Sequence, residues 1–309
     1  MIIDEILDAI PQWFGMHSNV MVSISGGSDS DVMLDMIINT VRDLSNVHFV
    51  FFDTGIEYRA TIEHLDFLEA KYGIIIERVK PRHNVPYVCT HIGTAFISKY
   101  ISEQMYRLQS HGFQWEDDDF DVLVKKYPNT KSALKWWCNM YGEGSRFNIN
   151  KRKLLKEFIM DNPPTFNISA ECCQSAKKAV SKQYVSDNNI DLIVTGVRKS
   201  EGGVRSVAYK SCYNEADGIG YYRPLWLLMQ EDKEQYIHEH GVQLSRCYTE
   251  YGFKRTGCAG CPFDKYYIST LMKLASKERK LHRLVKNLFG KSYDYTSMYA
   301  KYKHDHRNT

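Results

Sequence analysis

Apolar positions along the first eighty residues switch repeatedly between two periods. A helical spacing over residues 4–14 gives way to the short β-branched run Val20-Met21-Val22-Ser23-Ile24. That run ends in Ser25-Gly26-Gly27-Ser28-Asp29-Ser30, after which Val32, Leu34, Met36 and Ile37 return to helical spacing, to about residue 44. A second strand, Val47-His48-Phe49-Val50-Phe51-Phe52, stops at Asp53-Thr54-Gly55, and a helix over residues 58–72 precedes a third strand over 74–79. Strand–helix–strand repetition with short loops predicts an α/β fold: a doubly wound, mostly parallel sheet with helices on both faces. Its ligand crevice belongs at the carboxyl ends of the strands, where both the Ser25–Ser30 loop and Asp53 fall.

The alternation stops between residues 81 and 164. This stretch holds Trp115, Trp136 and Trp137, the acidic cluster Glu116-Asp117-Asp118-Asp119 and the basic run Lys151-Arg152-Lys153. It is expected to be a mostly helical insertion whose charge runs are solvated faces. The α/β pattern resumes with a helix over residues 172–187 and the strand Leu192-Ile193-Val194-Thr195-Gly196. The predicted organisation is 1–84 for the first half of the α/β domain, 85–164 for the insertion, 165–265 for the second half, and 266–309 for a helical C-terminal tail.

The Gly-Gly turn between strand and helix carries the first chemical signal. Glycines admit close backbone approach, and the N–H groups opening a helix have no intrahelical partner. With two serine hydroxyls and the positive end of the helix dipole, they make a site for phosphate or sulfate. Asp29 and Asp31 at the helix start would repel a naked anion, which implies a metal-bridged phosphate or carboxylates turned aside. No G-x-x-x-x-G-K-[ST] or strand-following G-x-G-x-x-G is present.

Composition narrows the class. The 309 residues suffice for one large domain or two, and a net charge of +3 is too small to imply nucleic-acid binding by bulk electrostatics. No apolar run of about 18 residues and no basic-then-apolar leader appear, so a cytoplasmic protein is expected. Of the eight cysteines, Cys172 and Cys173 are adjacent, and 84 residues separate them from Cys258-Ala259-Gly260-Cys261. A vicinal disulfide is strained, whereas four thiolates suit tetrahedral zinc or a [4Fe–4S] cluster. Cys89, Cys138, Cys212 and Cys247 are isolated and are expected to be free thiols.

S-G-G-S-D-S after a strand resembles the pyrophosphate loop of the ATP pyrophosphatase (PP-loop) superfamily, whose fold is adenine nucleotide alpha hydrolase-like. Further motifs resemble its phosphoadenylylsulfate/adenylylsulfate reductase family, in the iron–sulfur cluster-bearing branch. These are Asp53-Thr54-Gly55-Ile56-Glu57, Thr195-Gly196-Val197-Arg198-Lys199-Ser200-Glu201 with Arg205, Tyr222-Arg223-Pro224-Leu225, and Arg255-Thr256-Gly257-Cys258-Ala259-Gly260-Cys261-Pro262-Phe263. The resemblance covers roughly residues 18–80 and 168–265.

The resemblance implies that Ser25, Gly26, Gly27, Ser28, Asp29, Ser30, Asp53, Gly55, Gly196 and Arg198 bind the nucleotide. It assigns Ser25, Asp29, Arg198 and Arg205 to catalysis and Cys172, Cys173, Cys258 and Cys261 to a [4Fe–4S] cluster. ATP, with Mg²⁺, is the expected nucleotide, adenylylsulfate or phosphoadenylylsulfate the alternative, and a sulfur or electron donor protein the expected partner. A nucleic-acid acceptor is compatible with the sequence, which contains no module that reads one. Assimilatory reductases of the family use a cysteine in a C-terminal E-C-G-type segment, yet no cysteine follows Cys261 here. Their mechanism would need another thiol, such as Cys247. The favoured expectation is therefore ATP-dependent activation coupled to sulfur transfer, ahead of sulfonucleotide reduction or a regulator without turnover.

Overall fold

The structure is a computed structural model that describes residues 2–202 and 209–306. It divides into two compact units, Met1–Arg82 with Ala176–Ala259, and His83–Ser175 with Gly260–Thr309. In chain order the first unit begins with α1 (Ile2–Gly15), β1 (Val20–Ser23), α2 (Ser28–Thr40), β2 (Val47–Phe52), α3 (Arg59–Tyr72) and β3 (Ile76–Val79). The second unit then forms α4 (Val85–His91), α5 (Lys99–Gln109), α6 (Phe120–Lys126), α7 (Lys131–Trp137), α8 (Leu155–Asp161) and α9 (Glu171–Cys173). A π-helical turn, Gln174–Ala179, leads back to the first unit. There follow α10 (Val180–Asp187), β4 (Leu192–Thr195), β5 (Tyr213–Ala216), β6 (Ile219–Tyr222), α11 (Gln230–Glu239) and α12 (Arg246–Thr249). The second unit closes with α13 (Tyr267–Lys277) and the long α14 (Arg279–Asp305).

Among the described residues, six strands form one sheet in the order β3-β2-β1-β4-β6-β5, parallel except for β5. The α/β class expected from the alternation is what the chain adopts. β1 is central, with Val20 opposite both Val47 of β2 and Leu192 of β4. Apolar residues on α1, α2 and α3 cover it: Ile10, Met33, Leu34, Met36, Ile37 and Leu65 are fully buried. Strands buried on both faces need near-continuous apolar runs, which is why Val20, Met21 and Val22 read so clearly.

The second unit has its own core. Trp136, Trp137, Phe96, Phe158, Leu155 and Tyr299 are buried in it, so the tryptophans pack rather than stand ready to stack on a base. The acidic cluster is solvated as expected, with Glu116 held by Lys126 at 2.8 Å and Asp117 paired to Lys156. Lys151-Arg152-Lys153 departs from the expected helix face. It is exposed and runs from the last residue of the 3₁₀ turn Ile149–Lys151 towards α8, whose N-cap Leu154 has a left-handed φ of 58°.

Candidate functional site

Strand order reverses around β1, whose sequence neighbour β2 lies on one side while β4 lies on the other. In an open α/β sheet the crevice at such a switch point takes the ligand. The Ser25–Ser30 loop leaves β1 there, and Gly196 leaves β4. The Ser25 N–H donates to Ser30 Oγ at 3.0 Å, and the Asp31 N–H donates to the Gly27 carbonyl at 3.0 Å, starting α2. Gly27 is the N-cap and provides no side-chain cap, so the opening N–H groups lack intrahelical acceptors. Tyr248 Oη accepts the Ser28 N–H at 3.1 Å. A Cβ on Gly27 would stand 3.0 Å from Thr256 Oγ1 and 3.3 Å from Tyr248 Oη, and one on Gly196 would stand 2.9 Å from the Asp29 carbonyl oxygen. Only glycine lets these segments approach so closely.

Asp29 is turned aside rather than aimed at an incoming anion. Its Oδ1 accepts from Arg198 Nε at 2.8 Å and lies 3.0 Å from Lys233 Nζ. Arg198 also donates to Ser200 Oγ at 3.0 Å and Gln230 Oε1 at 2.9 Å, while Lys233 donates to Ser28 Oγ at 3.1 Å. Both cations are buried. Two buried cations against one carboxylate leave a local positive excess beside the loop, which an anion can neutralise. Lys233 was not singled out from sequence. Its only local signal is a lysine in the first turn of α11, where a cation opposes the helix dipole and so needs a separate reason.

Asp31 Oδ2 lies 2.9 Å from His64 Nε2, and its Oδ1 is buried without a hydrogen-bond partner. Burial pushes its carboxyl above the ordinary aspartate range, against the opposing pull of His64. A carboxyl whose folded pKa is raised contributes stability at low pH that is lost as pH rises through the folded value. Asp31→Asn should therefore gain stability relative to wild type as pH rises from the ordinary aspartate value, measured by urea unfolding across a series from about pH 4 to about pH 8. A constant difference would show that Asp31 does not carry this dependence.

The D-T-G-I-E segment follows β2. Asp53 Oδ1 accepts the Gly55 N–H at 2.9 Å, an Asx turn, so this carboxylate shapes its own loop. Glu57 accepts the Thr54 N–H at 3.1 Å, and burial raises its carboxyl, with Thr54 and Lys177 pulling the other way. Arg223 of the R-P-L turn is buried, with Nη1 2.9 Å from Asn214 Oδ1 and its guanidinium over the Tyr209 ring, so it pins the β5–β6 hairpin. Arg255 is exposed. Arg205 lies outside the described residues.

The cysteines fall in both units. Cys172 and Cys173 occupy α9, which packs against α4 in the second unit. That packing brings Cys89 into hydrogen-bonding reach of Cys172, with Cys261 close enough to interact electrostatically. Cys89 was expected to be isolated; its partner is 83 residues away in sequence, so no local signal marks it. The Cys173 thiol lowers the Cys172 pKa, but hydrogen bonding to Cys89, burial and the nearby Cys89 and Cys261 raise it overall. Cys173 is raised by its hydrogen bond to Cys172 and by burial, with Lys99 opposing. Cys258 belongs to the first unit, its Sγ 3.6 Å from Thr54 Oγ1, and the Ala259 N–H donates to the Ile56 carbonyl at 3.0 Å. Tyr293 Oη donates to the Gly260 carbonyl in the turn between Cys258 and Cys261.

Among the described residues, no group of three or more His, Cys, Asp or Glu side chains is arranged to hold a metal ion. The donor chemistry of Cys172, Cys173 and Cys261 nonetheless fits a thiophilic centre. Crowded thiols that disfavour one another's ionisation are stabilised as thiolates when a cation sits among them. In the β1–α2 loop, Asp29 is already taken by two cations and Asp31 is buried, so neither carboxylate is placed to serve as a Mg²⁺ ligand. Cys247 is fully buried, 3.7 Å from Thr61 Oγ1, which does not suit it as a replacement nucleophile.

Residues 19–146 and 147–263 match the sequence profile of the phosphoadenosine phosphosulfate reductase domain. The chain belongs to that family. An uncharacterised 37.8 kDa protein of Escherichia phage 186 is 25% identical over 264 residues, covering 78% of this chain and 66% of the phage protein. An uncharacterised protein of Methanocaldococcus jannaschii is 38% identical over 120 residues, covering 38% of this chain and 25% of its own length. The chain thus spans less than two thirds of either relative. The solved structures that resemble it include three enzymes. Phosphoadenylyl-sulfate reductase from Candida auris in a phosphate complex has a TM-score of 0.43 at 16% identity, covering 83% of this chain and 93% of its own. NH3-dependent NAD synthetase from Campylobacter jejuni has a TM-score of 0.39 at 13% identity, covering 95% and 94%. A U34-tRNA thiolase from Methanococcus maripaludis with its [4Fe–4S] cluster has a TM-score of 0.38 at 12% identity, covering 97% and 78%. With every TM-score below 0.5, the functional reading rests on the family match and the chain's own geometry. Among the described residues of this family member, no helix is long and apolar enough to cross a membrane.

Proposed function

We propose that this family member uses its β1–α2 loop to hold the β,γ-pyrophosphate of ATP while an acceptor oxygen attacks the α-phosphorus, activating the acceptor for sulfur transfer. The observation that carries the reading is the start of α2, where the N-cap Gly27 offers no side chain to the opening N–H groups and the buried cations Arg198 and Lys233 flank them. Backbone N–H groups and the two cations neutralise charge on the leaving pyrophosphate, while the tight packing at Gly27 and Gly196 holds donors in place. Mg²⁺ entering with the nucleotide would supply further charge neutralisation. Cys172, Cys173, Cys258 and Cys261 would hold a [4Fe–4S] cluster, which when bound supplies an iron centre that can take sulfur or electrons from a donor protein. The ATP reading is favoured over sulfonucleotide reduction by the thiols themselves. Cys247, the thiol that would have to stand in for the reductase nucleophile, is fully buried.

Anaerobically prepared protein should release pyrophosphate from ATP in the presence of its acceptor. Sulfite release from activated sulfate would establish the reductase reading instead, and tight binding without product would establish a regulator. Arg198→Ala should weaken nucleotide binding by about 1.5–3 kcal/mol, the scale of a charge-assisted hydrogen bond. Titration calorimetry with ATP checks this, and wild-type affinity would confine Arg198 to holding Asp29.

A further inference from the structure

We infer that the second unit carries a separate site for the phosphodiester backbone of a nucleic-acid strand, in the cavity between the Lys151–Lys153 turn, the segment after Cys261 and α14. The cavity has a volume of about 540 Å³, and Lys151, Arg152, Lys153, Lys265 and Lys303 line it against a single carboxylate, Asp264. Among the described residues, none of these five cations is in an ion pair. Three other cations of the unit, Arg107, Lys126 and Lys156, do each pair with a carboxylate. Five like charges around one cavity repel one another, and an incoming polyanion relieves that repulsion.

The backbone holds this arrangement at a cost. Ile97, in the cavity wall, has a φ of 53°, and Leu154, directly after the basic turn, has a φ of 58°. A β-branched residue in the left-handed region is strained, and such strain persists where surrounding structure imposes it, often at functional sites. Here Tyr299 Oη of α14 donates to the Lys153 carbonyl at 2.8 Å, tying the turn to the cavity's far wall.

Charge distribution favours a polymer over a small phosphate. The sequence of the second unit carries 22 lysines and arginines against 14 aspartates and glutamates, whereas that of the first carries 18 against 23. The net +3 of the chain therefore conceals a charge of +8 on one unit and −5 on the other. Lys151, Arg152, Lys153 and Lys265 are exposed rather than buried and converging, which suits successive phosphates along a strand, held by charge without base reading. The aromatic rings nearby are already engaged: Tyr267 stacks on Tyr293, and Lys303 lies over Tyr299.

The test uses the full-length protein and a fluorescein-labelled single-stranded RNA, with a labelled duplex DNA in parallel, read by anisotropy from about 50 to about 200 mM salt. Replacing Lys151, Arg152 and Lys153 together with Gln should weaken binding of the preferred probe at least about tenfold and flatten the log–log salt slope by about 2 to 3. A control replacing the exposed Lys125, Lys131 and Lys135 with Gln removes the same charge from the same unit and should leave the slope nearly unchanged. Equal loss in both variants would reduce the effect to bulk charge and overturn the site. So would absence of salt-dependent binding to either probe, or displacement of the probe by stoichiometric inorganic pyrophosphate, which would mark a small-anion pocket. Gly27→Val should retain strand binding, and the triple variant should retain ATP binding, so failure of the nucleotide reading and failure of this site are separately visible.

Discussion

Gly27→Val is expected to abolish nucleotide binding, lowering affinity for ATP and for adenylylsulfate by at least about 100-fold, while the chain still folds. Even a bare Cβ at this position meets Thr256 Oγ1 at 3.0 Å, Ser25 Oγ at 3.2 Å and Tyr248 Oη at 3.3 Å. These are side-chain ends that can give by a few tenths of an ångström, so the fold should survive. The two γ-methyl groups of valine cannot be absorbed in the same way. They must occupy the space in front of the α2 N-terminus, where a phosphate would otherwise meet the free N–H groups. Titration calorimetry with each nucleotide, beside circular dichroism and thermal unfolding, checks both halves. Unchanged affinity in a folded variant would remove the loop from the nucleotide site.

The legible parts of the molecule were those in which a local pattern and its structural consequence span few residues. Val47–Phe52 is a strand at the boundaries its apolar run suggests, because its middle residues Phe49, Val50 and Phe51 are buried. The S-G-G-S-D-S turn was legible because backbone approach, free donors and helix start all act within six residues. The β5–β6 hairpin was not picked out, although Asp217-Gly218, with φ of 54° and 75°, is a recognisable tight-turn pair. Its strands are four residues each and partly polar, so periodicity gave nothing. The π-helical turn after Cys173 leaves no compositional trace in a segment that otherwise looks like one helix from 172 to 187. Lys233 at Asp29 and Cys89 at Cys172 are long-range juxtapositions, 204 and 83 residues apart, which only the fold creates. Likewise, charge cancellation over the whole chain hid the basic unit until the fold divided the sequence.

Replacing any one of Cys172, Cys173, Cys258 or Cys261 with Ser is expected to reduce iron in anaerobically reconstituted protein from about four atoms per chain to below about one. It should also destabilise the fold, since binding energy for a structural cluster is folding energy. Three of these residues lie in the second unit and Cys258 lies in the first, where it rests against Thr54. Cys89 makes the experiment sharper than the sequence alone allowed. It already contacts Cys172, so a set of Cys89, Cys172, Cys173 and Cys261 would draw every ligand from the second unit. The expected pattern is iron loss on replacing Cys258 and iron retention on replacing Cys89, with Cys138→Ser, at the end of α7, as the unaffected control. The reverse pattern would transfer the fourth position to Cys89 and free Cys258 for the nucleotide side. Zinc in place of iron, lost in the same four variants, would change the metal and leave the ligands standing. Full iron content in all four variants would remove Cys172, Cys173, Cys258 and Cys261 as its ligands and overturn the four-cysteine assignment.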